Sequence, residues 1–362
     1  MKIAHTADKH LLGSQYGSRE RSADFFAAAV SSIEVCAGKV DVICDCGDML
    51  DTSRPPASVI QQLILLNRVA KDAGLLVLAV TGNHDWSTPT WTSIIGEEYP
   101  DDIPDDACGV VAIDGRTVTF RGVKFRGVPQ CTPRKFMDNH EAILASLVGV
   151  DVALFHGTVQ DIVPIYVPGD ARITADDFGD TPLVLLGDLH AQNYVRSASG
   201  GLVGYSGSSE VNDASEPKEK SVPVIRYPQP EVIDHLPIKT RAFITGDILT
   251  PEDVDRLLVE IRAAERPVVV VNYQRDLHKE MARVWTGVGP DVLLRTRPLP
   301  VDKKGGNMSK VEDGERRDFR YFVAQRLASR PDLAAVADLL AVQGADDGFN
   351  IVAKFIEERE KQ

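Results

Sequence analysis

Short, continuous runs of apolar residues recur along the N-terminal half of the chain, and each ends in polar residues. The run at 75–80 is rich in branched side chains, which is typical of a strand covered on both faces in an α/β core. Similar runs predict buried strands at Lys2–Thr6, 41–44, 151–155 and 182–186. Because these runs are interspersed with stretches of helical periodicity, the pattern predicts an α/β fold.

Apolar residues spaced three and four positions apart predict three helices in the same region, at 22–37, 55–74 and 133–147. The segment between 85 and about 104 has no regular pattern. Further strand-like segments lie at 110–113, 117–120, 123–128, 202–205 and 222–226, with Val195 as part of another. The stretch 227–237 carries three prolines, which favours a linker.

Beyond that stretch the pattern predicts a small α/β unit. Its strands lie at 241–245, 268–272 and 292–295. One helix begins at Thr250 as the cap with Pro251 in the first helical position, and a second spans 277–285. Residues 302–314 are polar and predict a flexible tether. The remaining residues carry apolar stripes at helical spacing.

Composition narrows the class of protein. The chain has 362 residues, enough for roughly two or three domains, and its 43% hydrophobic share is ordinary for a globular protein. There is no run of about 18 apolar residues and no signal-peptide pattern at Met1, so we expect a cytoplasmic protein without membrane association. The five cysteines show no Cys-x-x-Cys spacing, which predicts reduced, mostly buried thiols; packing in the core is favoured over zinc binding by Cys44 and Cys46.

The net charge of −13 argues against tight, unaided binding to nucleic acid, because most of that affinity comes from Lys and Arg on phosphates. Two considerations weaken this argument. A cluster of metal-binding carboxylates makes a chain more acidic than its metal-bound form, and a basic partner could supply the missing contacts.

Residues with metal-ligand chemistry follow successive predicted strands or turns. They are Asp8, His10, Asp48, Asn83, His84, His156, Asp188 and His190. Oxygen donors mixed with imidazoles suit manganese, iron or zinc better than calcium. The set is too large for one tetrahedral ion and suits two ions about 3.5–4 Å apart, bridged by a carboxylate. Each residue alone is more often a turn former or a solvated side chain, but their joint placement at strand ends favours a metal site.

Five motifs carry a resemblance to a known family. DKH at 8–10, GDMLD at 47–51, GNHD at 82–85, HG at 156–157 and GDLH at 187–190 resemble, in that order, the motifs of the calcineurin-like metallophosphoesterases. More narrowly, HTADKHLLG at 5–13 and YSGS at 205–208 are similar to segments of SbcD-type nucleases of DNA double-strand-break repair.

The resemblance implies a four-layered αββα sandwich with a small α/β capping domain and a C-terminal helical module. It implies one metal ion held by Asp8, His10, Asp48 and His190. A second ion is implied at Asp48, Asn83, His156 and the residue at position 188, with Asp48 as the bridge. His84 would protonate the leaving oxygen or stabilise the transition state, and Asp85 would orient its imidazole. The family usually has His where this chain has Asp188, and a carboxylate can still bind manganese or magnesium.

The family pattern further implies a nuclease domain at 1–230, a capping domain at 238–300, a linker at 301–314 and a helical region at 315–362. That last region would dock on the coiled-coil root of an SbcC-type ATPase, although its apolar stripes could also pack on the chain's own body. Six basic residues are candidate contacts to DNA phosphates: Arg19, Arg21, Lys124, Arg126, Arg134 and Lys135. Each of them could instead be an ordinary solvent-exposed side chain.

The sequence thus predicts a DNA exonuclease and endonuclease subunit that uses two divalent ions, Mn²⁺ or Mg²⁺ and preferably Mn²⁺. It would work with an ATPase partner and as a homodimer. One alternative is a phosphoesterase that acts on small nucleotides or phosphoproteins. Another is a non-catalytic scaffold at DNA ends, in which the second metal site has decayed at Asp188.

Overall fold

The described part of the chain contains sixteen strands. A computed structural model describes residues 1–16, 18–162 and 172–299, all within the first of two units, Met1–Leu299 and Pro300–Gln362. The predicted tether and helical region at 301–362 lie outside the described residues. The described strands are β1 (Lys2–Thr6), β2 (Val42–Asp45), β3 (Leu76–Ala79), β4 (Asp102–Ile103), β5 (Gly109–Ala112), β6 (Thr117–Phe120), β7 (Val123–Gly127), β8 (Val152–His156), β9 (Leu183–Gly187), β10 (Asn193–Arg196), β11 (Leu202–Tyr205), β12 (Lys220–Arg226), β13 (Glu231–Ile238), β14 (Phe243–Ile248), β15 (Val268–Tyr273) and β16 (Leu293–Pro298).

Helices occupy most of the stretches with helical periodicity. They are α1 (Glu20–Glu34), α2 (Ala57–Asp72), α3 (Trp91–Ile95), α4 (Pro133–Asp138), α5 (His140–Leu147), α6 (Pro251–Ala263) and α7 (His278–Gly287), with 3₁₀ turns at Ala175–Phe178 and Arg275–Leu277. The helix expected at 133–147 is two helices that meet at Asn139, and the region expected to be irregular contains α3 and β4. No helix among the described residues has both the length and the apolar character needed to cross a membrane.

Two sheets form the centre of the fold. The first has six strands in the order β13-β12-β1-β2-β3-β5, and the second has seven in the order β10-β11-β9-β8-β7-β6-β4. Strands β1, β2, β3 and β5 run parallel, as do β7, β8, β9 and β11. Their carboxyl ends therefore gather along one edge of each sheet, where parallel α/β sheets place their binding sites.

Three apolar clusters define the layers. One cluster lies between the sheets and includes Ile3, Leu78 and Leu185. A second joins the outer face of the first sheet to α1 and α2. A third joins the outer face of the second sheet to α4 and α5, around Phe136 and Phe155. The order helix, sheet, sheet, helix confirms the α/β class and the four-layered sandwich implied by the sequence.

The prediction of a linker at 227–237 is wrong, because most of this stretch is a strand. Residues 231–238 form β13, which pairs with β12 along its whole length and extends the first sheet. Pro237 is compatible with this strand because β13 is the edge of the sheet, where a missing N–H donor leaves no gap in the ladder. The sheet of the first predicted domain therefore runs past its expected boundary at 230.

The small α/β unit begins after β13. Its three parallel strands have the order β14-β15-β16, and their core packs against α6 and α7. Helix α6 starts as expected: Thr250 caps it, Pro251 is its first residue, and Asp253 completes a reciprocal capping box. The unit is joined to the sandwich by ion pairs of the Arg241 guanidinium with Glu20 and Asp24, at 3.2 and 3.1 Å.

Candidate metal centre

Residues from both sheets converge where their parallel strands end. Asp8 follows β1, Asp48 follows β2, and the loop at 82–85 comes after β3, all in the first sheet. His156 ends β8 in the second sheet, and Asp188 and His190 follow β9. Within the first sheet, backbone hydrogen bonds join the loops after β1 and β2: the Asp8 N–H donates to the Gly47 carbonyl and the His10 N–H to the Asp48 carbonyl, each at 2.9 Å. Across the sheets, the Asp188 N–H donates to the Asp8 carboxylate. The centre therefore depends on the alignment of the two sheets.

The side chains meet at short distances. The Nε2 atoms of His10 and His190 are 3.1 Å apart. The Oδ2 atom of Asp48 lies 3.4 Å from Nε2 of His156 and 4.0 Å from Nε2 of His10. Nε2 of His156 is also 2.9 Å from the Asn83 amide oxygen. The Asp48 carboxylate therefore stands between the His10–His190 pair and the His156–Asn83 pair.

Three overlapping groups of side chains have ligand atoms that all lie within 4.8 Å of one another. They are Asp8, His10 and His190; His10, Asp48 and His84; and Asp8, Asp48 and His156. Each pair of groups shares a residue, so the six side chains form one connected site. This arrangement can accommodate more than one cation.

Burial makes the charges of this site costly. Desolvation raises the pKa of Asp8 to about 7, although the neighbouring imidazoles of His156 and His190 oppose that rise. Desolvation lowers the pKa of His10 to about 3. Burial also opposes protonation of His156, but its contacts with Asp48 and Asp8 prevail and raise its pKa to about 10. Closely spaced, buried carboxylates and imidazoles are the donor set that a divalent ion stabilises, so the residues fit a metal ion.

The backbone at these residues is strained. Among the described residues seven that are not glycine have positive φ, and four of them are Asp8, His10, Asp48 and Asp188. Their φ angles are 52°, 44°, 51° and 108°. Left-handed backbone at a residue with a side chain costs free energy and persists where the surrounding structure imposes it. Its concentration at the strand ends supports a binding role for this edge of the sheets.

Two glycines allow the loops to approach one another. A Cβ atom at Gly82 would lie 2.1 Å from Oδ1 of Asp48, and one at Gly187 would lie 2.1 Å from the Cys46 carbonyl oxygen. Both distances are far below van der Waals contact. The GNHD and GDLH motifs therefore need glycine for close packing as well as for the turn.

Asp188 lies at the edge of the site. It belongs to none of the three groups, and its carboxylate accepts a hydrogen bond from the Thr158 hydroxyl. Its backbone N–H donates to the Asp8 carboxylate at 3.1 Å. The predicted ligand at position 188 is thus adjacent to the centre, with its side chain engaged by Thr158.

Outer contacts hold two of the imidazoles by their Nδ1 atoms. His156 Nδ1 is 2.7 Å from the Cys46 carbonyl oxygen, and His190 Nδ1 is 2.7 Å from Oε1 of Glu216. Each leaves Nε2 directed into the centre. Glu216 also accepts from the ammonium group of Lys220 at 2.8 Å. These contacts lower the pKa of Glu216 to about 2 although burial opposes that shift.

Glu216 was missed at the level of sequence. It lies in the polar segment between β11 and β12, and no metal-ligand spacing connects it with His190. The only local signal is its position four residues before Lys220.

The predicted role of Asp85 as the partner of His84 is wrong. The Asp85 carboxylate is buried and accepts hydrogen bonds from the backbone N–H groups of Met49, Leu50 and Gly82, at 3.1, 2.6 and 3.0 Å. Desolvation raises its pKa to about 6. His84 is exposed, and its Nδ1 lies 2.9 Å from the Asp51 carbonyl oxygen. Asp85 therefore braces the loops, and the Asp51 carbonyl orients the imidazole.

The structure contradicts one of the predicted contacts to DNA. Arg21 is fully buried, and its guanidinium donates to Gln15, Asp24 and the Val211 carbonyl. Arg21 is therefore not accessible to a DNA phosphate. Lys124 is exposed, and its backbone N–H donates to Asp151, which precedes β8, whereas His156 ends that strand. Its contact with DNA stays a prediction.

The other basic residues differ in their surroundings. The Arg126 guanidinium donates to the Gly115 carbonyl at 2.6 Å. Arg19 is exposed where α1 begins, shortly after the loop that carries His10. Arg134 and Lys135 are exposed in α4.

Comparison with known proteins agrees with this geometry. The family model described as calcineurin-like phosphoesterase matches residues 1–192. A DNA double-strand break repair protein Mre11 of Halobacterium salinarum is 28% identical over 330 residues, covering 88% of this chain and 78% of that protein. The Mre11 protein of Haloferax volcanii is 28% identical over 387 residues, covering 93% of this chain and 84% of its own. That of Methanosarcina mazei is 27% identical over 240 residues, covering 62% of this chain and 36% of its own.

Proposed function

The chain belongs to the calcineurin-like phosphoesterase family, and from this premise we propose that it is a metal-dependent nuclease of DNA double-strand-break repair. The observation that carries the proposal is the position of the Asp48 carboxylate between two sets of ligand atoms. A single carboxylate shared by neighbouring cation sites is the arrangement used for phosphodiester hydrolysis. The similarity to Mre11 proteins supports DNA as the substrate.

Seven residues would hold the ions: Asp8, His10, Asp48, Asn83, His156, Asp188 and His190. Two bound divalent cations would activate water for attack on phosphorus and neutralise charge on the phosphodiester. The mixture of carboxylate, amide and imidazole donors favours Mn²⁺, with Mg²⁺ as the second choice. Because the Thr158 hydroxyl donates a hydrogen bond to the Asp188 carboxylate, we propose that Asp188 is the weakest of the ligands.

His84 would act on the departing oxygen. Its Nδ1 faces the Asp51 carbonyl, which leaves Nε2 directed away from that loop and available to a substrate. The imidazole is exposed, so a bound strand can reach it, and His84 shares a group with His10 and Asp48. In its protonated form Nε2 would donate a proton to the leaving sugar oxygen. The His84 N–H donates to Oδ1 of Asp48 at 2.9 Å, which fixes the loop beside the shared carboxylate.

One assay separates the candidate functions. The purified full chain with Mn²⁺ is given labelled duplex DNA, single-stranded DNA and the small diester bis(p-nitrophenyl) phosphate, with His84→Ala as the matched control. We expect cleavage of DNA that falls at least about 100-fold in His84→Ala, in the range typical of a lost general acid. Hydrolysis of the small diester without DNA cleavage would instead indicate a phosphoesterase of small substrates. Bound metal without any hydrolysis would indicate a scaffold.

We further propose the domain roles implied by the sequence. Residues 238–300 would cap the nuclease domain, 301–314 would be a linker, and 315–362 would bind the coiled coil of an SbcC-type ATPase. The proposed homodimer is supported by exposed Ile64 and Ile94, 43% and 54% exposed on the adjoining helices α2 and α3. Light scattering of the full chain tests the dimer. Co-purification of the ATPase with the full chain, and its loss after deletion of 315–362, tests the partner site.

A further inference from the structure

A cavity of about 560 Å³ is lined in part by residues on either side of the 82–85 loop. Thr81 and Trp86 belong to its lining, and they flank the loop that carries Asn83 and His84. The cavity and the metal centre therefore share one loop of the chain. Its volume is in the range of sites that hold small organic groups.

The lining of this cavity suits a flat, partly apolar group. Trp86 is 53% exposed, which is unusual for so large an aromatic side chain, and it is joined in the lining by Tyr99 and Pro129. Exposed aromatic rings beside a nuclease centre are surfaces on which nucleic acid bases stack. The hydroxyl of Thr88 and the amide of Gln130 supply polar groups in the same lining.

Charge argues for a base here and against a phosphate. Glu97, Glu98 and Asp114 contribute carboxyl groups to the lining. The guanidinium of Arg116 is held by Asp101 at 2.9 Å and by the Tyr99 carbonyl at 3.0 Å. Such a lining repels the phosphodiester backbone, whereas its oxygen atoms can accept hydrogen bonds from the amino groups of bases.

We propose that this cavity, the Trp86 cavity, holds one unpaired base of the DNA strand whose phosphodiester lies at the metal centre. The inference rests on the proposed nuclease function and adds a base-binding subsite to it. A base enters the cavity only after it leaves its partner, which is easiest in single-stranded DNA or at a frayed end.

Tryptophan fluorescence tests binding without any catalysis. The chain has three tryptophans, and hexadeoxycytidylate, whose bases carry an amino group, is expected to quench the emission of Trp86 when it is added to the full chain in EDTA. Trp86→Phe removes the quench and keeps a ring for stacking, so its affinity for the oligonucleotide, measured by the anisotropy of a 5′-labelled copy, stays within about threefold of wild type. Trp86→Ala lowers that affinity about 5- to 150-fold, the range for loss of one stacked base. The control Trp285→Phe, in α7, leaves the quench in place.

Cleavage assays separate this inference from the proposed function. With Mn²⁺, the single-stranded DNA cleavage rate of Trp86→Ala is expected to fall at least about fivefold more than its rate on bis(p-nitrophenyl) phosphate, which has no base. Equal losses on both substrates, or a quench that persists in Trp86→Phe, would overturn the inference alone. Failure of the wild-type chain to cleave any diester would overturn the nuclease function, while quenching by the oligonucleotide would still locate a base at Trp86.

Discussion

Glu216 is the residue whose effect on the metal centre is least visible in the sequence. It holds Nδ1 of His190 at 2.7 Å and is itself paired with Lys220. Carboxylates behind a metal-binding histidine fix its orientation and make it a stronger ligand.

Replacement of Glu216 by Gln is expected to weaken Mn²⁺ binding about 10- to 100-fold, because the amide keeps the shape but removes the charge behind His190. Titration calorimetry of the full chain measures the change. Glu219→Gln is the matched control, since Glu219 is exposed in the same segment and should leave the affinity unaltered. Equal affinities of the two variants would show that Glu216 only supports the fold.

Asp85 illustrates how a motif residue can be recognised while its role is misjudged. Its carboxylate accepts three backbone N–H groups from two loops, so Asp85→Ala would leave three buried donors without an acceptor. We expect a loss of about 2–4 kcal/mol in the free energy of unfolding, measured by denaturant titration. Asp138→Ala, at an exposed position that ends α4, should change it by less than about 0.5 kcal/mol. If Asp85→Ala lost activity while its free energy of unfolding was unaltered, the predicted role of Asp85 in orienting the His84 imidazole would be supported instead.

At the scale of elements, most strands and helices could be predicted because each has a strong local signal. β1 and the start of α6 agree with their sequence patterns residue by residue. β13 could not be predicted, because its proline and charged residues, and the two prolines just before it, are typical of a loop and its strand conformation comes from pairing with β12. The candidate ligands were found because they follow buried strands, whereas Glu216 acts through a contact between loops that no spacing encodes.

The attachment of the small α/β unit to the sandwich depends on Arg241. Its guanidinium joins Glu20 and Asp24 of α1 to the carbonyls of Arg266 and Asp291. Arg241→Ala is expected to expose the segment between β13 and β14 to proteases and to lower the free energy of unfolding by about 2–3 kcal/mol, less than for a fully buried pair because Glu20 is half-exposed. Limited proteolysis and denaturant titration measure both effects.

Arg256→Ala serves as the control for Arg241→Ala. Arg256 pairs with Asp253 on the solvent side of α6, and its side chain is 66% exposed. Its loss should change the free energy of unfolding by less than about 1 kcal/mol. Similar proteolysis of the two variants would mean that other contacts attach the unit.

At the scale of the whole molecule, the acidic balance and the buried ligands predict that metal stabilises the fold. At a free Mn²⁺ concentration about 100 times its dissociation constant, the folded chain gains about 2.7 kcal/mol. This corresponds to a rise of about 3–5 °C in the melting temperature, measured by calorimetry and reversed by EDTA. Asp48→Asn, which alters the shared carboxylate, should show a much smaller rise. An equal rise in that variant would place the bound Mn²⁺ elsewhere.

The pairing of β1 with β12 has a consequence for biosynthesis. Strand β1 lies between β2 and β12, which begins at Lys220, with Ile3 opposite Ile225. More than 200 residues separate β1 from β12, so a ribosome synthesises every candidate ligand, and Glu216, before β1 can gain its second neighbour. The sheet edge that carries Asp8 is therefore completed in a nascent chain only after all the other candidate ligands have been made.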